Sequence, residues 1–234
     1  MVSALNLPRR LCRGVFGWWY GPYVRRRIAH PSEVSLLGRR LLTDPEVLHP
    51  VYFRSTRVLI DALATLNIAG KRFLDMGCGS GAIGIFAAFQ GATVAACDIN
   101  PRAVTLTRDN LRRHQIDAAV FESNLFSGLG GAVYDLICFN IPFYAGEPRT
   151  PFEAALFGGK DLETVRRFAA ACPGYLDPNG RVVVVFSEDA DRDNILSHFT
   201  AEGLSVEDER IAHRLFERFH VVSFRVASLP ESVA

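Results

Sequence analysis

Two short segments of this chain combine residue types that could do chemistry. In Asp75-Met76-Gly77-Cys78-Gly79-Ser80-Gly81-Ala82, three glycines alternate after an apolar run. Without a Cβ the backbone can turn sharply and approach a ligand closely. About 20 residues on, Asp98 ends the next apolar run, where a carboxylate can accept from both hydroxyls of a ribose; Ile99 follows it. The second segment is Asn140-Ile141-Pro142-Phe143. The Asn140 side-chain oxygen and the Ile141 carbonyl could accept the two N–H bonds of a planar nitrogen. Acceptors placed out of the substrate plane favour a pyramidal nitrogen with an exposed lone pair, which is selective binding of a transition state. Pro142 holds Ile141 extended, and Phe143 offers a flat face to a planar group. Such a site needs no metal and no strong base, because the proton can leave after the new bond to nitrogen has formed.

The glycine segment admits two nucleotide-like ligands. Gly77-x-Gly79-x-x-Ala82 satisfies the dinucleotide fingerprint, and Asp98 suits NAD. Asp75 favours a different ligand. A carboxylate two residues before the first glycine repels a pyrophosphate and welcomes a cation, and Gly81 opens further backbone. S-adenosylmethionine (SAM), which carries an amino group and a sulfonium, meets both conditions.

The elements that must position these segments alternate. Strands are expected at 72–76, 92–97, 118–121, 134–139 and 181–186, and helices at 56–66, 82–89, 101–114, 190–201 and, capped by Asp161, up to Cys172. Two late strands, 204–208 and 219–226, have too short a connection to be parallel. The fold class is therefore α/β: a Rossmann-like sheet of about seven strands, mostly parallel, with an antiparallel last strand and helices on both faces. Residues 1–50 are expected to form a basic, aromatic extension or cover, and residues 51–234 the catalytic domain.

A chain of 234 residues that is 49% hydrophobic and 22% charged can build one core. The net charge of +1 is uneven: residues 1–40 hold eight arginines and one acid, so the rest is mildly negative. A basic arm could meet an anionic substrate, RNA or a membrane surface. Val15 to Tyr23 places aromatics between arginine clusters, as in an interface or a lid. No apolar run spans a membrane, and Arg9, Arg10 and Arg13 interrupt any signal peptide. The five cysteines show no metal spacing and read as reduced, mostly buried thiols of a cytoplasmic protein. His49 is expected to pack, and Asp44, Pro45 and His49 fall in a loop that could cover the site.

The glycine segment resembles motif I of class I SAM methyltransferases, Asp/Glu-x-Gly-x-Gly-x-Gly, at all four positions. Asn140–Phe143 resembles the Asn-Pro-Pro-Tyr motif of the HemK-like family (the methyltransferase small domain), which contains protein glutamine N-methyltransferases, and of the related adenine-N6 methyltransferases. Val51 to Leu63 resembles the segment before motif I, with Thr56 at its usual threonine. Ala155 to Asp161 resembles the downstream Gly-Gly-x-Asp stretch. Ile141 replaces the first proline, Phe143 the tyrosine, Asn124 a usual aspartate near the adenine amino group, and Leu162 a glycine. The resemblance implies SAM as cofactor and S-adenosylhomocysteine as product, held by Asp75, Gly77, Cys78, Gly79, Gly81, Asp98, Ile99, Asn124, Leu125 and Asn140. It implies an acceptor nitrogen held by Asn140, Ile141, Pro142 and Phe143, and no metal. The region before the match is shorter than the helical domain of release-factor methyltransferases. A small molecule or another peptide is therefore the expected acceptor, adenine in RNA or DNA the alternative, and a non-catalytic SAM sensor the competing class.

Overall fold

In the computed structural model, which describes residues 23–24, 26–214 and 217–227, the apolar runs become the strands of one sheet. The order is β1 (Ser32–Leu36), β2 (Arg39–Thr43), α1 (Ser55–Leu63), β3 (Arg72–Met76), α2 (Ala82–Phe89), β4 (Thr93–Asp98), α3 (Pro101–Arg113) and β5 (Ala119–Glu122). β6 (Tyr134–Asn140), α4 (Pro151–Ala154), α5 (Glu163–Ala171), a 3-10 turn (Cys172–Tyr175), β7 (Leu176–Ser187), α6 (Arg192–Ala201), β8 (Leu204–Arg214) and β9 (Glu217–Val226) follow. The large sheet runs β5-β4-β3-β6-β7-β9-β8, and β9 is antiparallel to both of its neighbours. This is the expected seven-stranded, mostly parallel sheet with an antiparallel last strand. The segment from 15 to 22 lies outside the described residues.

Residues Val182 to Phe186 of β7 are all buried, as a central strand covered on both faces requires. Their alternation divides the core in two. Val183 and Val185 join a cluster with Leu59, Phe73 and Ile85, while Val182, Val184 and Phe186 join one with Leu74, Ile137 and Phe168.

The strand order reverses between β3 and β6. β4 and β5 lie on one side of that junction, β7, β9 and β8 on the other. Such a switch point opens a crevice beyond the carboxyl ends of the strands. The register pairs Met76 with Phe139, so the glycine loop and Asn140 emerge side by side at the crevice.

Three local features differ from expectation. The β1–β2 hairpin was not legible as strands, and it packs on α3. The buried Asn110 of α3 fastens it: Oδ1 accepts the Leu42 amide at 2.7 Å, and Nδ2 donates to the Leu42 carbonyl at 3.1 Å and the Ser80 carbonyl at 2.9 Å. One carboxamide thus ties hairpin, helix and glycine loop. Asp161 does not cap α5; the cap position is Leu162, in the left-handed region at φ 55°, with no side-chain cap bond. The side chain of Leu162 is 3% exposed. Its burial offsets a backbone strain that the glycine usual there would avoid. The late strand expected at 204–208 continues to Arg214, because β9 pairs with it along that length.

Candidate active site

The crevice holds a cavity whose wall includes Gly77, Gly79, Asp98, Ile99, Asn124, Leu125, Asn140 and Pro142. Eight expected site residues are therefore brought together from the ends of β3, β4, β5 and β6. Five others, Asp75, Cys78, Gly81, Ile141 and Phe143, are not part of that wall.

The reasons are local. Strand alternation puts Asp75 with Phe73 on the face covered by α2. There its Oδ2 accepts the Gly84 amide at 2.9 Å, the carboxyl is fully buried, and Oδ1 has no hydrogen-bond partner among the described residues. The carboxylate expected to face a bound cation lies beneath the first turn of α2 instead. Cys78 points its thiol into the core, where it accepts from Thr107 Oγ1 at 3.3 Å and burial holds it protonated. Gly81 begins α2 at φ 76°, and a Cβ there would meet Thr107 Cγ2 at 3.0 Å. Its lack of a side chain serves helix docking rather than a ligand. Gly79 is different: among the described residues only Val47 Cγ1, at 3.7 Å, faces a Cβ built there, so its surroundings stay open. Ile141 is buried in the core, and Phe143 is half-buried with its ring 4.6 Å from that of Tyr144.

Asp98 brings a carboxylate to the cavity wall from the end of β4. Its Oδ2 accepts the Gly79 amide at 2.9 Å and its Oδ1 the Asn100 amide at 2.9 Å. Burial raises its pKa all the same, against the backbone amides of Asn100, Gly79 and Ile99 that favour the anion. Asn100 caps α3 by accepting the Arg102 amide and sends its Nδ2 to the Glu46 carbonyl at 2.9 Å. That bond brings the loop after β2 over the cavity, where Glu46, Val47 and Leu48 form part of the wall. Of the loop expected near the site, Glu46 to Leu48 reach the cavity, while Asp44 and Pro45 are not part of its wall. His49 packs beside that loop, its Nδ1 accepting the Val51 and Tyr52 amides. Glu46, Asn100, Thr164 and Arg167 carry no motif by which sequence inspection could have found them.

Asn140 closes the other end. Asn140 lines the cavity, and its buried Oδ1 has no hydrogen-bond partner among the described residues. A buried acceptor left unpaired costs roughly 1–3 kcal/mol, so it marks a place where a donor from outside the chain would be welcome. The segment after it is clamped by the Gly-Gly stretch. Tyr144 N donates to Leu156 O, Gly158 N to Tyr144 O, and Gly146 and Gly159 exchange both backbone bonds. A Cβ on Gly158 would stand 2.5 Å from the Pro142 carbonyl oxygen. Only glycine lets the two segments lie this close.

Burial pushes the Asp75 carboxyl from 3.8 up to about 7, against the Gly84 amide, and the nearby Asp98 adds to the rise. The folded chain holds this proton to about pH 7, while the unfolded chain gives it up near pH 4. The stability contributed by the protonated form is complete below about pH 4 and lost as pH rises to about 7. Asp75→Asn keeps an acceptor for Gly84 and cannot ionise. Its melting midpoint is expected to fall less than the wild type's between about pH 5 and 8; parallel pH profiles would contradict the assignment.

The residues fit SAM. Gly79 offers open backbone, Asp98 a carboxylate for a ribose, Ile99 an exposed apolar face for a base, and Asn140, which lines the cavity, a buried amide oxygen without a partner among the described residues. Among the described residues there is no cluster able to hold a metal ion, and no helix is long and apolar enough to cross a membrane.

Known proteins agree with this geometry. The model of the methyltransferase small domain family matches residues 53–210. A Methanocaldococcus jannaschii protein assigned as a protein N5-glutamine methyltransferase is 29% identical, over 81% of this chain and 97% of its own. A ribosomal RNA small subunit methyltransferase C from Chromohalobacter salexigens is 33% identical over 63% of this chain, and a release factor glutamine methyltransferase from Geobacter sulfurreducens is 32% identical over 63%. The chain spans about half the length of these last two, 42% and 55%. A methyltransferase solved in complex with S-adenosylhomocysteine superposes with a TM-score of 0.64 at 14% identity, over 84% of this chain and 56% of its own. The NAD alternative finds no support in these likenesses. With its strand order, its cavity at the β3–β6 junction and a family match over most of its length, the chain belongs to the methyltransferase small domain family and is a SAM-dependent N-methyltransferase.

Proposed function

We propose that the acceptor is the side-chain amide nitrogen of a glutamine in a protein. The observation that carries this is Asn140 in the cavity wall, its buried Oδ1 unpaired among the described residues, directly before Ile141 and Pro142. An amide nitrogen has two N–H bonds and a delocalised lone pair. Asn140 Oδ1 accepts one N–H; the Ile141 carbonyl, outside the cavity wall in the structure, accepts the other once the acceptor is seated between Asn140 and Pro142, and Pro142 restricts its direction. Both acceptors strengthen as the nitrogen becomes pyramidal and its N–H bonds more acidic. As the N–C bond forms the S–C bond breaks and S-adenosylhomocysteine leaves; the now cationic nitrogen then gives its proton to water. Asp98, Gly77 and Gly79 hold the ribose and amino-acid portions of SAM, Ile99, Asn124 and Leu125 the base. SAM supplies the electrophilic methyl on its sulfonium. Asp75, Cys78 and Gly81 act by shaping the loop, and Phe143 by packing beside the acceptor segment.

Relatives named as protein glutamine methyltransferases support this acceptor, including the one matched over nearly its full length. No such likeness supports the small molecule expected from the short N-terminal region. The ribosomal RNA methyltransferase relative favours a base amine in RNA as a second possibility. Incubating methyl-labelled SAM with purified protein and a fractionated lysate distinguishes them. Label is expected in the protein fraction, at a glutamine found by peptide mass spectrometry. Label confined to RNA or to small molecules would refute a protein acceptor.

A further inference from the structure

With the acceptor at Asn140 and the ribose at Asp98, the base of the cofactor extends past β4 toward the edge strand β5. There Ser123, Asn124 and Leu125 line the cavity. A 6-aminopurine presents N–H donors on its amino group and needs an acceptor. Asn124 is an ambiguous one. A carboxamide can turn by half a rotation and present N–H donors where its oxygen stood. An aspartate could not.

Arg167 removes the ambiguity. It projects from α5, lines the same cavity, and donates from Nη2 to Asn124 Oδ1 at 3.3 Å. A guanidinium has donors only, so it accepts one of the two carboxamide orientations, with the oxygen toward it. The second lone pair of that oxygen stays available. Arg167 also lines the neighbouring groove formed with Phe126, Ala170 and Tyr175, so it stands on the partition between the two. Arg166 lines only the groove.

We propose that Arg167 is a positioning residue for the cofactor's base: it locks the Asn124 carboxamide with its oxygen as acceptor and thereby sets a preference for a 6-amino over a 6-oxo purine. This rests on SAM being the cofactor. It gives the chain an equivalent of an aspartate from a neutral side chain and a cation on another element.

The test is calorimetric titration with S-adenosylhomocysteine and S-inosylhomocysteine, which differ at that position of the base. Wild-type protein is expected to prefer the amino compound by on the order of a hundredfold, because an amino analogue fits and a 6-oxo group meets a like acceptor. Arg167→Ala is expected to shrink that ratio about tenfold, the worth of one oriented hydrogen bond. Adding Asn124→Asp to Arg167→Ala is expected to restore it, since both carboxylate oxygens accept. Arg166→Ala is expected to change neither affinity. An unchanged ratio in Arg167→Ala, an equal loss of both affinities, or a double variant that regains nothing would each overturn the proposal. Wild-type protein that binds neither compound would overturn the cofactor assignment beneath it.

Discussion

Asn140→Ala is expected to lower kcat by roughly 10²–10³-fold, the usual cost of removing one donor or acceptor aimed at a developing transition state. The same variant should melt within about 1–2 °C of the wild type, since a change far below 1 kcal/mol shifts a domain of this size very little. The two expectations are linked by one atom. Asn140 Oδ1 has no hydrogen-bond partner among the described residues, so its deletion breaks no hydrogen bond seen there. A side chain placed for structure behaves oppositely: Asn110, with three hydrogen bonds to Leu42 and Ser80, would lose stability on truncation. The affinity for SAM should change only a few-fold, because Asp98, Gly79 and the wall around the base remain. Label transfer from SAM measures kcat, and scanning calorimetry measures the midpoint. A variant with normal turnover would remove Asn140 from the reaction. A variant that unfolds would show that its role is structural.

Gly158→Ala is expected to lower kcat by about a hundredfold without touching any atom of the reaction. A methyl group at this position would stand 2.5 Å from the Pro142 carbonyl oxygen, and the contact is to backbone, which cannot rotate away. The Asn140–Phe143 segment must shift by several tenths of an ångström or more. A displacement near 1 Å of a positioning group can cost about 10²-fold in rate. The cofactor wall at β3 and β4 lies on the other side of the junction, so the affinity for SAM is expected to stay near the wild-type value. Gly174→Ala, where no described residue lies within 4 Å of an added Cβ, is the control and should leave turnover unchanged. Equal kcat in Gly158→Ala and wild type would show that the Gly-Gly stretch does not fix the acceptor segment. The assignment gives a physical reason for two adjacent glycines: they permit a backbone-to-backbone clamp, with Gly146 and Gly159 exchanging bonds beside it.

The fold was largely legible from the chain itself. Apolar runs of strand length alternating with amphipathic stretches dictate a parallel sheet between helices, and a short link between the last two strands dictates an antiparallel ending. The residues at strand ends were legible for the same reason. A glycine loop, Asp98 and Asn140 each follow an apolar run, and ligands bind beyond the carboxyl ends of such strands. Local sequence alone also showed which groups Asn140-Ile141-Pro142 can offer, since acceptor type and proline restriction belong to the residues themselves.

Other properties depended on which elements meet. Asp75 has the same side chain whether it faces a ligand or a helix, and only the register of β3 against α2 decided for the helix. Gly81 is one of three alternating glycines, yet its neighbour is Thr107 of α3, far along the chain. Glu46, Asn100 and Arg167 enter the site because a loop, a helix cap and a later helix converge there, and their sequence neighbours carry no periodic or motif signal of it. The β1–β2 hairpin, with its Ser-Glu-Val-Ser-Leu strand only partly buried, is held by Asn110 from another element. Composition and period report how a residue relates to its own strand or helix. They hold no record of the partner across the crevice, and at this site those partners are the Gly79 amide on Asp98, the Arg167 guanidinium on Asn124 and the Gly-Gly stretch on the segment after Asn140.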